Sequence, residues 1–458
     1  MVQKPIFMGR HTVFHGFGRR DIETPPSMQP TTWWGSQTLT MPDGVQETNV
    51  RLQAEDGAHS SGILYRRGDE KTVIVFNHPR ADFSSHYLVP AMLAGGYATF
   101  GGQTRYLGND INCEHECLVA DLAAQVRYLR ATGFEKVVLC GNSGGGPLST
   151  FYQSQAVTQP PHRLSDTAAG DPYDLNALDL SPADGLILLA GALSEGALEL
   201  ENLDPSVVEE SDPLSCDPEL DMFNPANGYR RPPESSSYSA EFLARYREAQ
   251  RARCARIDAK AKQEIARKRK YKAKMREPGF ASLPLEEQNY ITRMATAASV
   301  LTIYRTMANP ALTDLSIHPS KRQIVGLMSP DPQVASWSFP GFVAVMTPEG
   351  WLSTWSGLST RVNMFENIKQ VEQPLLVVNF EADVTILSYV AEGTYRNAAG
   401  KDKEFVRINA DHFGLTSTGP REAGIHEAGA AITNWLKKRF PASSQEAPES
   451  WKLANMSS

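Results

Sequence analysis

Long apolar runs are missing from this chain: no window approaches eighteen consecutive apolar residues, so no helical membrane span is expected. An excess of positive charge is missing too. The formal charge of -7 gives no overall pull toward nucleic acid or an anionic membrane surface. Cysteine is scarce and odd in number, at Cys113, Cys117, Cys140, Cys216 and Cys254, without CxxC spacing. That pattern argues against a disulfide framework and for reduced thiols in a cytoplasmic protein. The first residues, MVQKPIFMGRHTVFHGFGRR, lack an apolar stretch followed by small cleavage-site residues, so no secretory signal is read there. The one cysteine cluster, CEHEC from Cys113 to Cys117, is a weak metal candidate. On a helix Cys113 and Cys117 share a face that His115 does not, and a zinc site needs a fourth ligand from elsewhere. No metal is expected.

What is present is an ordinary globular composition, 41% hydrophobic and 21% charged, in 458 residues. That length holds one large domain with insertions, or two domains. From residue 47 strands and helices alternate. TNVRLQAEDGAHSSGILYRRG reads as a hairpin turned at Asp56-Gly57. KTVIVFNHP, EKVVLC and ADGLILLAG are short β-branched or leucine-rich runs of the kind buried on both faces of a sheet. SSHYLVPAMLAGG reads as a helix and GYATF as a strand, while Leu118, Leu122, Val126 and Leu129 recur at helical spacing and Gly133 stops that helix. The alternation breaks after residue 193 and resumes with QPLLVVNF, EFVRINA and the amphipathic HEAGAAITNWLKKRF. The expected architecture is α/β: a mostly parallel central sheet flanked by helices, over residues 47–193 and 346–440. Residues 1–46 form an extension, 194–345 a largely helical insertion, and 441–458 a mobile tail. Within the insertion Ser194–Ala240 has eleven acidic and two basic residues, and Glu241–Arg276 has fourteen Lys or Arg against four acids. The basic part lacks interleaved aromatics for base stacking, and only Leu243, Tyr246, Ile257, Ile265 and Met275 make an apolar stripe. It reads as a long solvated helix of a lid or subunit contact, leaving a homodimer open, rather than as a nucleic-acid site.

The chemistry is concentrated in VVLCGNSGGGPLSTF, Val137 to Phe151. No lysine follows the glycines, which removes a Walker loop, and Ser149 stands where a dinucleotide fingerprint needs its third glycine. Gly141-Asn142-Ser143-Gly144-Gly145 does fit GxSxG, directly after a buried strand and before a helix, the context of a nucleophile elbow. Small neighbours let strand and helix approach, and the turn aims the Ser143 hydroxyl away from the sheet. It also brings the Gly144 amide and a helix N-terminus to developing negative charge. A serine nucleophile needs a base, and in this architecture the chain order is Ser, acid, His. Of His162, His318, His412 and His426, only His412, in NADHFG, directly follows a core strand at its C-terminal edge. PLLVVNFEAD offers Asp383 as the acid, with Glu381 in reserve. Asp411 is too close in sequence to orient the His412 ring. The second oxyanion donor should come from NHPRADF; Pro79 has no amide hydrogen, so Arg80 is expected, or else Ala81. HGFG at His15–Gly18 lies upstream of the fold and is taken as accidental.

GNSGG, NHPR, PLLVVNFEAD and ADHFG together resemble the α/β-hydrolase superfamily of serine hydrolases, over about residues 47–193 and 346–440. The resemblance implies the α/β-hydrolase fold, no cofactor, and a variable lid after the sixth strand, where this insertion falls. The chain departs from the family in having His78-Pro79 where His-Gly is usual, and in the length of its insertion. Serine at the elbow argues against epoxide hydrolysis and dehalogenation, which use a carboxylate nucleophile in this superfamily. WSFPGFVAVMTPEGWLSTWSG holds Trp337, Trp351 and Trp355 with Phe339 and Phe342, an apolar acyl pocket or ordinary packing. His78, Trp351 and Trp355 are the expected substrate contacts. The leading expectation is a cytoplasmic serine hydrolase for a small, mainly apolar ester, with a Ser143–His412–Asp383 triad and no nucleic-acid or membrane partner. The alternatives are a C–C bond hydrolase of a diketone-like ring-cleavage product and a non-catalytic binding protein that uses the charged insertion as an interface.

Overall fold

A computed structural model describes residues 41–325, 331–338 and 343–443. The HGFG stretch, Phe339 and Phe342, most of the N-terminal extension and the tail from 444 lie outside the described residues. Eight strands form one sheet: β1 (Gln46–Gln53), β2 (His59–Arg66), β3 (Thr72–Asn77), β4 (Ala98–Gln103), β5 (Lys136–Asn142), β6 (Gly185–Leu189), β7 (Leu375–Phe380) and β8 (Lys403–Ile408). Their spatial order is β1-β2-β4-β3-β5-β6-β7-β8. The hairpin β1–β2 and the β2–β4 pair are antiparallel, and every later pairing is parallel. Asn77 pairs with Gly141, and Asn142 with Leu189, so the C-terminal ends of β3, β5 and β6 come out along one edge.

The central strands are fully buried because helices cover both faces, which explains their continuous apolar runs. Ile74, Phe76, Val138 and Cys140 face α1 (Val89–Ala94) and α7 (Ala423–Lys437), packing on Leu93, Ile432 and Trp435. Their alternates Val73, Val75, Val137 and Leu139 face α2 (His115–Ala131) and α3 (Gly145–Val157), packing on Leu122, Val126 and Phe151. The helix expected over SSHYLVPAMLAGG is shorter than the reading, because Pro90 fits its first turn and the preceding residues form a turn instead.

Between β6 and β7 irregular chain carries three longer helices, α4 (Glu195–Asn202), the 36-residue α5 (Ala240–Met275) and α6 (Leu285–Thr296), with a two-residue ribbon of Leu301–Thr302 against Val345–Met346. The α5 helix starts at Ser239, whose hydroxyl accepts from the Phe242 amide. Phe242, Tyr246, Ile257, Ala261 and Ile265 form its buried stripe, while Lys260, Lys262, Lys270, Lys272 and Lys274 are solvent-exposed. The acidic stretch before it answers part of that charge: Glu210 binds the fully buried Arg253 at 2.7 Å and Arg256 at 3.2 Å. No helix of the described residues is long and apolar enough to cross a membrane.

Candidate active site

Ser143 follows β5 and precedes α3, with φ at +55° in the left-handed region that a side chain enters at a cost of about 1–2 kcal/mol. The strain is held by three backbone hydrogen bonds: Ser143 N to Leu189 O at 3.1 Å, and Gly146 N and Ala192 N to Ser143 O at 3.0 Å. The glycines are needed for space. A Cβ on Gly145 would overlap the Asn77 carbonyl, one on Gly141 would overlap Gly145 O, and one on Gly146 would meet Gly191 Cα at 2.8 Å. Ser149, in the place of a third fingerprint glycine, is buried and bonded to the Asn77 side chain at 3.1 Å. Asn142 braces the turn from behind, donating to Leu189 O at 2.8 Å and facing His86 Nε2 at 3.1 Å.

The structure brings Ser143, His412 and Asp383 into one chain of hydrogen bonds. His412 Nε2 lies 3.0 Å from Ser143 Oγ, and His412 Nδ1 lies 2.6 Å from Asp383 Oδ2. A carboxylate only accepts, so Nδ1 carries the ring proton and Nε2 is left to accept from the serine. Asp383 is itself fixed, because its Oδ1 accepts from the amides of Thr385 at 2.7 Å and Ile386 at 2.9 Å. Burial disfavours a charged His412, but Asp383 and then Asp411 outweigh it and hold the imidazolium pKa above its ordinary 6.5. Asp411 does not touch the ring; it accepts from the amides of Phe413 and Leu415, shaping the turn that carries it. Glu381 points elsewhere, to Lys321 at 2.7 Å. Of the other histidines, His162 and His426 are exposed, and His318 stacks on Tyr389.

This is the α/β-hydrolase fold. The strand order, parallel crossovers and a serine turn after β5 carry that assignment. No family model matches the chain, and no curated protein sequence matches it. Similar solved structures include DcsB in complex with its substrate analogue, at 13% identity and TM-score 0.45, covering 86% of this chain and 100% of that one. An esterase domain from a Rhodothermus marinus protein has 12% identity, TM-score 0.41 and coverage of 86% and 98%. A Pyrococcus furiosus esterase has 11% identity, TM-score 0.39 and coverage of 86% and 92%.

Relative to an α/β-hydrolase site, the loop after β3 is arranged differently from the sequence-based expectation. The Arg80 amide, expected as an oxyanion donor, instead donates to His78 Nδ1 at 3.2 Å, and the Ala81 amide does the same at 2.9 Å. Arg80 contributes through its side chain. Its Nη1 binds Glu195 Oε1, its Nε binds Asp110 Oδ1, and its guanidinium lies 4.4 Å from the Trp355 ring centre. Glu195 is the first residue of α4, behind the Ser194 cap, and is almost fully buried. Its Oε2 is 2.9 Å from His115 Nε2, without the alignment of a hydrogen bond. Burial first, and then Arg80, lower the His115 pKa to about 3, so this histidine is neutral. A Cβ on Gly144 would meet Glu195 Oε1 at 2.8 Å and His78 Nε2 at 3.0 Å, which puts both groups at the elbow. Glu195 escaped the sequence reading; an acidic residue a few positions beyond a fully buried core strand was the available signal.

The tryptophans divide. Trp351 is completely buried and its indole donates to Asp258 at 2.7 Å, so it packs the helical segment. Trp355 is buried beneath Arg80, and Trp337 is at the surface beside Arg305. A cavity adjoins the Asp383 loop instead, between Leu193, Leu198, Met307, Leu312, Val384 and Ile386.

Proposed function

We propose that this protein is a serine hydrolase that cleaves a small, mainly apolar carboxylic ester through an acyl-enzyme. The observation that carries the reading is the unbroken Asp383–His412–Ser143 chain, ending on a serine with strained backbone at a helix N-terminus. Ser143 Oγ bonds to the ester carbonyl carbon as its proton passes to His412 Nε2. The carbonyl oxygen becomes an oxyanion, which the Gly144 amide and the α3 N-terminus stabilise. Collapse breaks the C–O bond, and His412 returns the proton to the leaving alcohol. Water then repeats the sequence, releasing the carboxylic acid and restoring Ser143. Asp383 keeps the His412 ring in the tautomer this requires and favours the imidazolium formed on the way.

A fluorophosphonate probe tests the nucleophile directly. The wild-type chain should be labelled at Ser143, and Ser143→Ala should lose both the label and hydrolysis of short aryl esters. A folded wild-type protein that never labels would overturn the assignment.

A further inference from the structure

With Pro79 lacking an amide hydrogen and the Arg80 and Ala81 amides turned inward, the loop after β3 offers no free backbone donor at the expected positions. It offers a side chain. His78 Nδ1 accepts from both of those amides, so its proton must sit on Nε2. Nε2 has no hydrogen-bond partner among the described residues and lies 3.0 Å from the place a Cβ on Gly144 would occupy, beside the amide next to the nucleophile. The ring is 7% exposed and packs against Phe83 with centres 5.2 Å apart, which limits its freedom to turn away.

We propose that His78 is a catalytic residue whose Nε2–H is the second oxyanion donor, replacing the backbone amide of this loop. The inference rests on the serine-hydrolase reading of Ser143. Burial and the neighbouring Arg80, His412 and His115 hold the His78 pKa well below 6.5, so it acts as a neutral donor and does not compete with His412 for the proton. A fixed N–H aimed at the developing charge needs no reorganisation during the reaction. Glu195 Oε1 also reaches the elbow, where an unopposed carboxylate would repel an oxyanion; its pairing with Arg80 removes most of that repulsion. His78 and Arg80 thus divide the work. His78 supplies the donor, and Arg80 is a positioning residue that neutralises the competing charge.

Two substitutions separate the donor from the loop-shaping role. In His78→Asn the side-chain oxygen takes the place of Nδ1 and can accept from amides two and three residues on, but the distal N–H is gone. In His78→Gln the terminal NH2 replaces Nε2–H while the loop acceptor is lost. We expect His78→Asn to melt close to wild type, with kcat for a short aryl ester down about 10²–10³-fold and KM little changed. His78→Gln should recover part of that kcat despite lower stability. Folded His78→Asn with wild-type kcat overturns the proposal. A measurement on the wild-type protein covers the case of misfolding. A boronic acid that forms a tetrahedral adduct at Ser143 should move the His78 Nε2–H proton resonance downfield, and an unmoved resonance in a formed adduct also overturns it. Failure of the wild-type chain to label with fluorophosphonate marks the different result, in which the serine-hydrolase reading itself falls and the donor role with it.

Discussion

Two buried polar clusters meet at the Ser143 turn, and they are built on opposite plans. In Asp383–His412 each carboxylate oxygen has a defined partner, one on the ring and the other on two backbone amides. In Arg80–Glu195–His115 the charges are paired, but His115 Nδ1 has no hydrogen-bond partner among the described residues and the His115–Glu195 approach is out of line. A fully satisfied network has one low-energy geometry, as a proton relay requires. A part-satisfied one is held by charge balance, so its worth lies in cancelling Glu195 more than in placing any single atom.

The largest expected effect breaks the first cluster. Asp383→Asn should keep the amide contacts of Oδ1 yet favour the wrong His412 tautomer, lowering kcat by about 10⁴-fold with little change in melting temperature. Ester turnover and thermal unfolding measured on the same preparation check both halves. The next breaks the second cluster. Arg80→Met leaves a carboxylate buried without its cation and should cost about 3–5 kcal/mol of stability in urea unfolding, with Glu195→Gln added to it recovering most of the loss. Full stability in Arg80→Met alone would erase the distinction between the clusters. The smallest effect is on pH. His412 must be neutral to act as a base and its pKa is raised, so kcat/KM should fall as pH drops through a value above 6.5. In Asp383→Asn that acid limb should move to lower pH. The stability term runs the other way: the protonated His412–Asp383 pair stabilises the fold fully below pH 6.5, and that contribution is lost as pH rises through the folded pKa. The pH–rate and pH–stability profiles should therefore slope in opposite directions across this window.

The sheet was legible because its strands are buried on both faces, so VIVF, VVLC and LLVV read as apolar without help from distant residues. The Ser143–Asp383–His412 grouping was legible because chain order and strand ends constrain it, and the local spacing of GxSxG needs no tertiary information. The donor loop was not. His78 folds back onto the amides of Arg80 and Ala81, and nothing in the spelling NHPRA distinguishes that from an open loop. Packing and pocket lining could not be told apart for Trp351 for a related reason: its indole partner, Asp258, is 93 positions away on α5. Glu195 could have been weighed from its place after β6, but its burial depends on Arg80, far off in sequence.

The contact between Gly145 and the Asn77 carbonyl has a mechanical consequence. With no room for even a methyl group there, and Asn77 also tied to Ser149, the end of β3 and the start of α3 behave as a single bracket. The loop bearing His78 springs from one arm of that bracket and Ser143 from the other. A displacement of the sheet edge would therefore carry both together, leaving their mutual alignment intact.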